Sequence, residues 1–475
     1  MRKLTVGFTV SFILAGCGGG GGSSSTPTTN VSTSTNTAKV VPEYVTTITK
    51  SEIPNYNNTI TNSETIVKFL TKSAPHGMTF IQGQDNKKHV FVFSSDINSI
   101  DAFPAFQLTE TSTNQFKLVK FYNDIKLGAV RASTSVKTKN SNGLVIVNHG
   151  NEVGPQKDWP LGDVWFLENK NSDFEFKKLS SYKAFYYSVS AGDFNNDKLD
   201  DILVSNMGIK DSPIPFTVQS FLQDDNGNFS QHTSMAKETL NTSPINAGSG
   251  SVSVADLDND GNNEIIQANF TKNIEDWGAF RILQKNYLGE YKIVRTFPRT
   301  GNFNVMGAMQ VIPFDYDKDN DLDLLFTLEG SCTNTAGDFG CMAFEFYRND
   351  GNFVFTVMTD VLFTKSKIPA SEMIWSGIEI IDINKDGYKD IYLEYGGPLH
   401  KINTNTIDLG KYVIKNDAGK NFTFMSGHND LQVTFSNTSA VPSLLRVLNQ
   451  NNVSTTFFGF DTNGAPTTLE IKKGS

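Results

Sequence analysis

The feature that most constrains this chain is a spacing. Asp315-Tyr-Asp317-Lys-Asp319-Asn-Asp321-Leu-Asp323 runs straight into the apolar stretch Leu324-Leu325-Phe326. Carboxylates at every second position ahead of a β-type run make a loop whose oxygens can converge on one hard cation. The same arrangement starts at Asp193, Asp256 and Asp382. Taking the residue ahead of each apolar run as a marker gives His89, Gly143, Asp201, Glu264, Asp323, Asp390 and Thr456, at intervals of 54, 58, 63, 59, 67 and 66 residues. A second marker, an aromatic after a polar or glycine-containing turn, falls at Phe116, Phe174, Phe229, Tyr291, Phe353 and Phe422, at intervals of 58, 55, 62, 62 and 69. Two markers in step define a repeat.

Short runs rich in Val, Ile, Phe and Tyr alternate with Asn, Gly, Asp and Ser clusters from about Val40 onward, which reads as all-β. Asn-Gly and Asp-Gly between apolar runs signal tight hairpins. Each unit then reads as strand, acidic loop, strand, variable loop, strand, hairpin, strand. Seven such antiparallel units over 40–475 predict a seven-bladed β-propeller. A two-sheet sandwich array is the competing architecture. After Phe460 only 467–471 reads as a strand, so the segment around 43–49 is expected to complete the seventh blade and close the ring.

Within the four loops, side-chain oxygens occupy positions 1, 3, 5 and 9. These are Asp193, Asn195, Asp197 and Asp201; Asp256, Asp258, Asp260 and Glu264; Asp315, Asp317, Asp319 and Asp323; and Asp382, Asn384, Asp386 and Asp390. Position 7 (Leu199, Asn262, Asp321, Tyr388) would add a backbone carbonyl. Such sets suit Ca²⁺, which takes six to eight oxygens, and the loops contain no His or Cys for zinc or copper. Up to four calcium ions are expected. The competing reading is a set of solvated Asx turns. Position 6 requires a left-handed backbone, which Gly261, Gly387 and Asn320 suit and Lys198 does not. The loops around His89, Gly143 and Thr456 lack the carboxylates, and no metal is expected there.

These stretches resemble the FG-GAP/VCBS repeat, the blade unit of integrin alpha-subunit propellers and of many bacterial surface proteins. The matching residues are Asp193-Phe-Asn-Asn-Asp197, Asp256-Leu-Asp-Asn-Asp-Gly261, Asp315-Tyr-Asp-Lys-Asp319 and Asp382-Ile-Asn-Lys-Asp-Gly387, each with its following strand. The resemblance implies a propeller and a structural role for calcium. It leaves the ligand open, because that family includes adhesion proteins, lectins and a few lyases.

The amino terminus carries an address. Arg2-Lys3, a mostly apolar run to Leu14, and Leu14-Ala15-Gly16-Cys17 resemble a bacterial lipoprotein signal peptide, with cleavage before Cys17 and a lipid on its thiol. A plain secretory signal is the competing reading. Gly18 after the cysteine favours the outer membrane or cell surface, by resemblance to the usual sorting rule. Residues 18–39, almost all Gly, Ser, Thr, Asn and Pro, read as a flexible tether with a mean reach of about 25 Å. Of three cysteines, Cys332 and Cys341 remain, and in an exported protein they read as one disulfide. Two buried thiols are the alternative.

Formal charge is −9, and near −11 without Arg2 and Lys3, with no basic run longer than two residues. Nucleic-acid binding is therefore not expected. The variable loops, 149–162, 206–215, 269–277, 330–341 and 396–409, emerge opposite the acidic loops and form the expected binding face. Trp159 and Trp277 could stack on a sugar or anchor a protein there, or pack under their own loops. His149, His400, Glu152, Asp158 and Glu394 read as ordinary surface residues, and no catalytic motif or catalytic residue is assigned. The leading expectation is a calcium-stabilised envelope lipoprotein that binds a glycan or protein. The alternatives are an exported carbohydrate-active enzyme such as a polysaccharide lyase, or an assembly scaffold.

Overall fold

The computed structural model describes residues 77–93, 104–127, 130–150, 161–170, 173–206, 218–232, 249–269, 280–286, 291–297, 305–331, 339–362, 377–394, 413–424, 431–435, 443–460 and 466–473. They form seven four-stranded antiparallel sheets, covering 78–126, 130–178, 186–232, 249–297, 305–357, 377–424 and 431–473. These are the blades of a propeller. Helix among the described residues is limited to one turn, Thr359–Leu362. The second strands of blades 3 to 6 start at Asp201, Glu264, Asp323 and Asp390, the four acidic markers of the sequence.

Each blade turns alternate side chains to its two neighbours, because successive residues of a strand face opposite sides of the sheet. Seven apolar clusters result, one between each adjacent pair. Between blades 4 and 5, for example, Phe280 stacks on Phe326 with ring centroids 3.8 Å apart, and both rings are fully buried. The cluster of Met78, Val90 and Phe106 with Phe458 and Phe460 joins blade 1 to blade 7 and closes the ring. Burying one such phenylalanine contributes about 1.5–3 kcal/mol.

The innermost strands have an edge that no neighbouring strand covers, and unpaired buried N–H groups are costly. Side chains of the preceding blade take up part of this edge. Ser188 Oγ accepts the N–H of Val252 at 2.8 Å, Ser190 Oγ that of Val254 at 3.1 Å, and Ser251 Oγ that of Val311 at 3.1 Å. Gln310 Oε1 accepts the N–H of Ile378 at 3.0 Å.

Two expectations are corrected. The fourth strand of the seventh blade is Leu431–Phe435, which pairs antiparallel with Pro466–Lys473, so the place assigned to 43–49 is taken by the chain just ahead of that blade's other three strands. Closing a short local loop costs less entropy than recruiting a distant segment. Residues 43–49 lie outside the described residues, as do Cys17 and the tether 18–39. In the fifth blade the repeated aromatic is Phe355. It pairs with Asn349 as Phe422 pairs with Asn416, whereas Phe353 sits in the turn at φ 57°.

Candidate metal centre

The four acidic loops share one backbone course, because their first carboxylate organises the turn. Asp193 accepts the N–H groups of Asn196, Asp197 and Lys198 at 2.7, 3.1 and 2.8 Å. Asp256 accepts those of Asp260 and Gly261, Asp315 those of Lys318 and Asn320, and Asp382 that of Gly387. The fifth position then accepts the N–H of the seventh. Asp197 takes Leu199 at 2.9 Å, Asp260 takes Asn262 at 2.7 Å, Asp319 takes Asp321 at 2.9 Å and Asp386 takes Tyr388 at 2.9 Å. Folding the chain this tightly puts two residues per loop in the left-handed region: Asn196 and Lys198, Asn259 and Gly261, Lys318 and Asn320, Lys385 and Gly387. The fourth position was not anticipated from sequence. Lys198 takes up a left-handed φ of 73° despite its side chain, since the turn around Asp193 dictates it.

The carboxylates converge most closely in two loops. Ligand oxygens of Asp256, Asp258 and Asp260 lie within 4.8 Å of one another, as do those of Asp315, Asp317 and Asp323. The loops at Asp193 and Asp382 have Asn at the third position, and the amides of Asn195 and Asn384 donate to Asp197 and Asp386 at 2.9 and 2.8 Å. Several buried oxygens have no hydrogen-bond donor: Oδ1 of Asp317, Oδ1 of Asp382, Oδ2 of Asp201 and Oε1 of Glu264. Hard oxygens in this number and with this charge fit a calcium ion.

Position 9 has a second task. Asp201, Glu264, Asp323 and Asp390 are wholly buried. Asp323 accepts the N–H of Tyr316 at 3.0 Å and that of Asn349 at 2.9 Å; Asp390 does the same with Ile383 and Asn416, each at 2.9 Å. These carboxylates brace the loop against the end of the third strand. Burial, followed by neighbouring carboxylates of the loop, raises them: Asp201, Glu264 and Asp390 to about 7 and Asp323 to about 8. Burial also raises Asp258 and Asp317, again with neighbouring carboxylates contributing.

Position 2 joins the loop to the next blade. Phe194, Leu257, Tyr316 and Ile383 are buried in the cores between their own blade and the following one. From that following blade a polar side chain reaches back. Asn349 Nδ2 donates to Leu257 O at 2.7 Å, and Asn416 Nδ2 to Tyr316 O at 2.8 Å. Gln223 donates to Lys137 O at 3.1 Å, Asn169 to Gln82 O at 3.4 Å, and Lys285 Nζ to Asn195 O. All five sit at the end of a third strand opposite the repeated aromatics Phe229, Phe174, Tyr291, Phe355 and Phe422. A polar residue five or six places ahead of each aromatic was the available signal. The same contacts place acidic loops and hairpins at one end of the blades.

The opposite end is only partly described. Trp159, Trp277, Cys332, His400, Glu152 and Asp158 lie outside the described residues. Cys341 is in the third strand of blade 5, its backbone opposite Gly330. His149, read as a surface residue, is 1% exposed, with its ring 4.7 Å from both Phe185 and Tyr187. Arg131 lies over Tyr187, 4.8 Å from the ring centroid.

In sequence, a family described as an FG-GAP-like repeat matches residues 315–393. No curated protein matches the chain. Among solved structures the chain is similar to the N-terminal domain of Nup159 (8% identity, TM-score 0.39, 86% of this chain and 92% of that one). It is also similar to an α-L-arabinofuranosidase from Fusarium graminearum in complex with an iminosugar inhibitor (10%, 0.37, 72% and 93%), and to a GH43 β-1,3-galactosidase with galactodeoxynojirimycin (11%, 0.31, 60% and 93%). Likeness at this level carries no functional inference. Residues 315–393, with the acidic loop at their head, are an FG-GAP-like repeat, and the chain that contains them is a seven-bladed β-propeller.

Proposed function

We propose that this is a calcium-stabilised propeller of the bacterial cell envelope that binds a glycan or a protein through its variable-loop face. The observation that carries the calcium reading is the loop at 315–323. There three carboxylates meet within 4.8 Å and Oδ1 of Asp317 is buried without a donor. Calcium at such a loop would neutralise mutually repelling carboxylates and tie the first and second strands of a blade together. Asp193 to Asp201, Asp256 to Glu264, Asp315 to Asp323 and Asp382 to Asp390 are the residues that would hold up to four ions.

With the metal face given over to stability, ligand recognition falls to the other end of the blades. A lipid on Cys17 and the tether of 18–39 would hold the propeller off the membrane, and a Cys332–Cys341 bond would restrain one loop of the binding face. Glycan-array binding by the purified protein, lost on chelation, tests the reading. Cleavage of uronic-acid polymers with rising ultraviolet absorbance would replace it with a lyase. Recovery of one stable envelope partner without glycan binding would replace it with a scaffold. Mass spectrometry finding no acyl group on Cys17 would remove the anchor.

A further inference from the structure

The structure assigns Asn349 and Asn416 as positioning residues for the cation loop of the preceding blade. On this inference, the loops at 256–264 and 315–323 become complete cation sites only when the next blade is docked. It rests on the calcium reading of those loops.

The Leu257 peptide lies between the first two carboxylates of its loop, Asp256 and Asp258. Its N–H is held by Glu264 Oε2 of the same blade at 2.8 Å, and its carbonyl by Asn349 of the next blade at 2.7 Å. Its side chain is buried in the core between the two blades. Tyr316 is held in the same three ways, by Asp323 at 3.0 Å, by Asn416 at 2.8 Å and by Phe346 and Phe422 around its ring. A residue fixed at its N–H, its carbonyl and its side chain sets the direction in which the flanking carboxylates leave the backbone. Groups of this kind, outside the ligand shell but orienting it, are worth about 10–100-fold in metal affinity.

The braces also link up. Asn416 gives its N–H to Asp390 and its amide to Tyr316. Tyr316 gives its N–H to Asp323, which also takes the N–H of Asn349, and the amide of Asn349 goes to Leu257. Three blades are thus joined by one run of hydrogen bonds that touches three acidic loops, at Asp390, at Tyr316 and Asp323, and at Leu257. A second tie runs beside it: Asn259 Nδ2 donates to Asp321 Oδ1 at 2.8 Å, and Lys318 Nζ lies 4.1 Å from the centre of the Tyr388 ring.

The test is Asn349→Ala in the full chain, which removes the amide and keeps the backbone N–H to Asp323. Asn349→Gln serves as the rescue, since Gln223 does the same work in blade 3. Asn349 Nδ2 also donates to Leu322 O at 3.2 Å, inside 315–323, and its Oδ1 accepts the N–H of Gly351, so exchange at 315–323 and at 350–354 controls for loosening within its own blade. Calorimetric titration with Ca²⁺ is expected to show one site weakened about tenfold or more by Asn349→Ala, with affinity largely restored by Asn349→Gln. In an Asp256→Asn background, which disables that site, the roughly tenfold effect of Asn349→Ala is expected to disappear, leaving at most a smaller change at 315–323, where the same amide reaches Leu322 O.

Hydrogen exchange read by mass spectrometry is expected to rise more in 256–264 than in 315–323, because the bond to Leu257 O, at 2.7 Å, is shorter than the one to Leu322 O, at 3.2 Å. Unchanged affinities, or equal weakening of every site, overturn the inference. If the unaltered protein binds no calcium, the calcium reading fails, and exchange alone decides the positioning role. A larger loss in 256–264 than in 315–323 keeps it, and equal loss in both loops, or none in either, removes it. Should Asn349→Ala not fold, Asn416→Ala and Asn416→Gln put the same question to 315–323.

Discussion

The carboxylate of Asp323, wholly buried, receives the backbone N–H of Asn349 at 2.9 Å from the end of the third strand of the same blade. Its other oxygen receives Tyr316. A residue that belongs to the cation loop by spacing is therefore also a brace. Asp323→Ala should leave two buried donors without partners and cost roughly 2–4 kcal/mol in urea unfolding, even with chelator present. If the loss appears only when calcium is supplied, Asp323 acts as a ligand alone.

Without metal the protein should become more stable as pH falls from about 8 to about 5. Asp201, Glu264, Asp323 and Asp390 titrate near 7 to 8 when folded, above the ordinary carboxylate range of an unfolded chain. Between those ranges the folded state holds more protons than the unfolded state, so stability is lost as pH rises through the window. Calcium needs the ionised forms, so the dependence should reverse when it is present, and binding at pH 7 should release protons. Thermal unfolding with and without chelator across this range checks both signs.

Chelation should lower the melting temperature of the unaltered protein, and Asp317→Ala should remove one ion from the stoichiometry found by elemental analysis. On the proposed reading the binding face is at the other end of the blades, so glycan or protein binding should survive Asp317→Ala wherever calcium still fills the other loops. A melting temperature unmoved by chelator would remove the calcium claim.

Lys285 occupies the place where Gln223, Asn349 and Asn416 carry amides, and it brings an ammonium against Asn195 O, inside the loop at 193–201. A resident positive charge competes with a cation for the same field. Lys285→Gln should keep a donor and tighten calcium binding at that loop, visible by titration as one strengthened site. Equal affinities in both proteins would show that the ammonium has no influence there.

Phe280→Ala should destabilise by about 3–5 kcal/mol, because it empties the stacked position against Phe326 between blades 4 and 5. Equilibrium unfolding in chelator measures it without interference from the loops.

What could be read from the sequence was what is local. The repeat, the start of each second strand and the carboxylates at positions 1, 3, 5 and 9 are set within nine residues, by alternation of side chains and by an aspartate collecting the N–H groups that follow it. Asn349 was just as visible as Asp315, but nothing near it in the chain says that its amide ends on Leu257, 92 residues earlier. Leu431–Phe435 reads as a β-type run, yet its place as the outer strand of the seventh blade depends on the register it finds against Pro466–Lys473. His149 looked exposed by its position in a loop and is buried by Phe185 and Tyr187 from the neighbouring blade. In each case the partner comes from another blade or from beyond an intervening loop. Local patterning determined which residues make a blade, and only packing of blade on blade decided which of those residues hold the ring and its acidic loops in place.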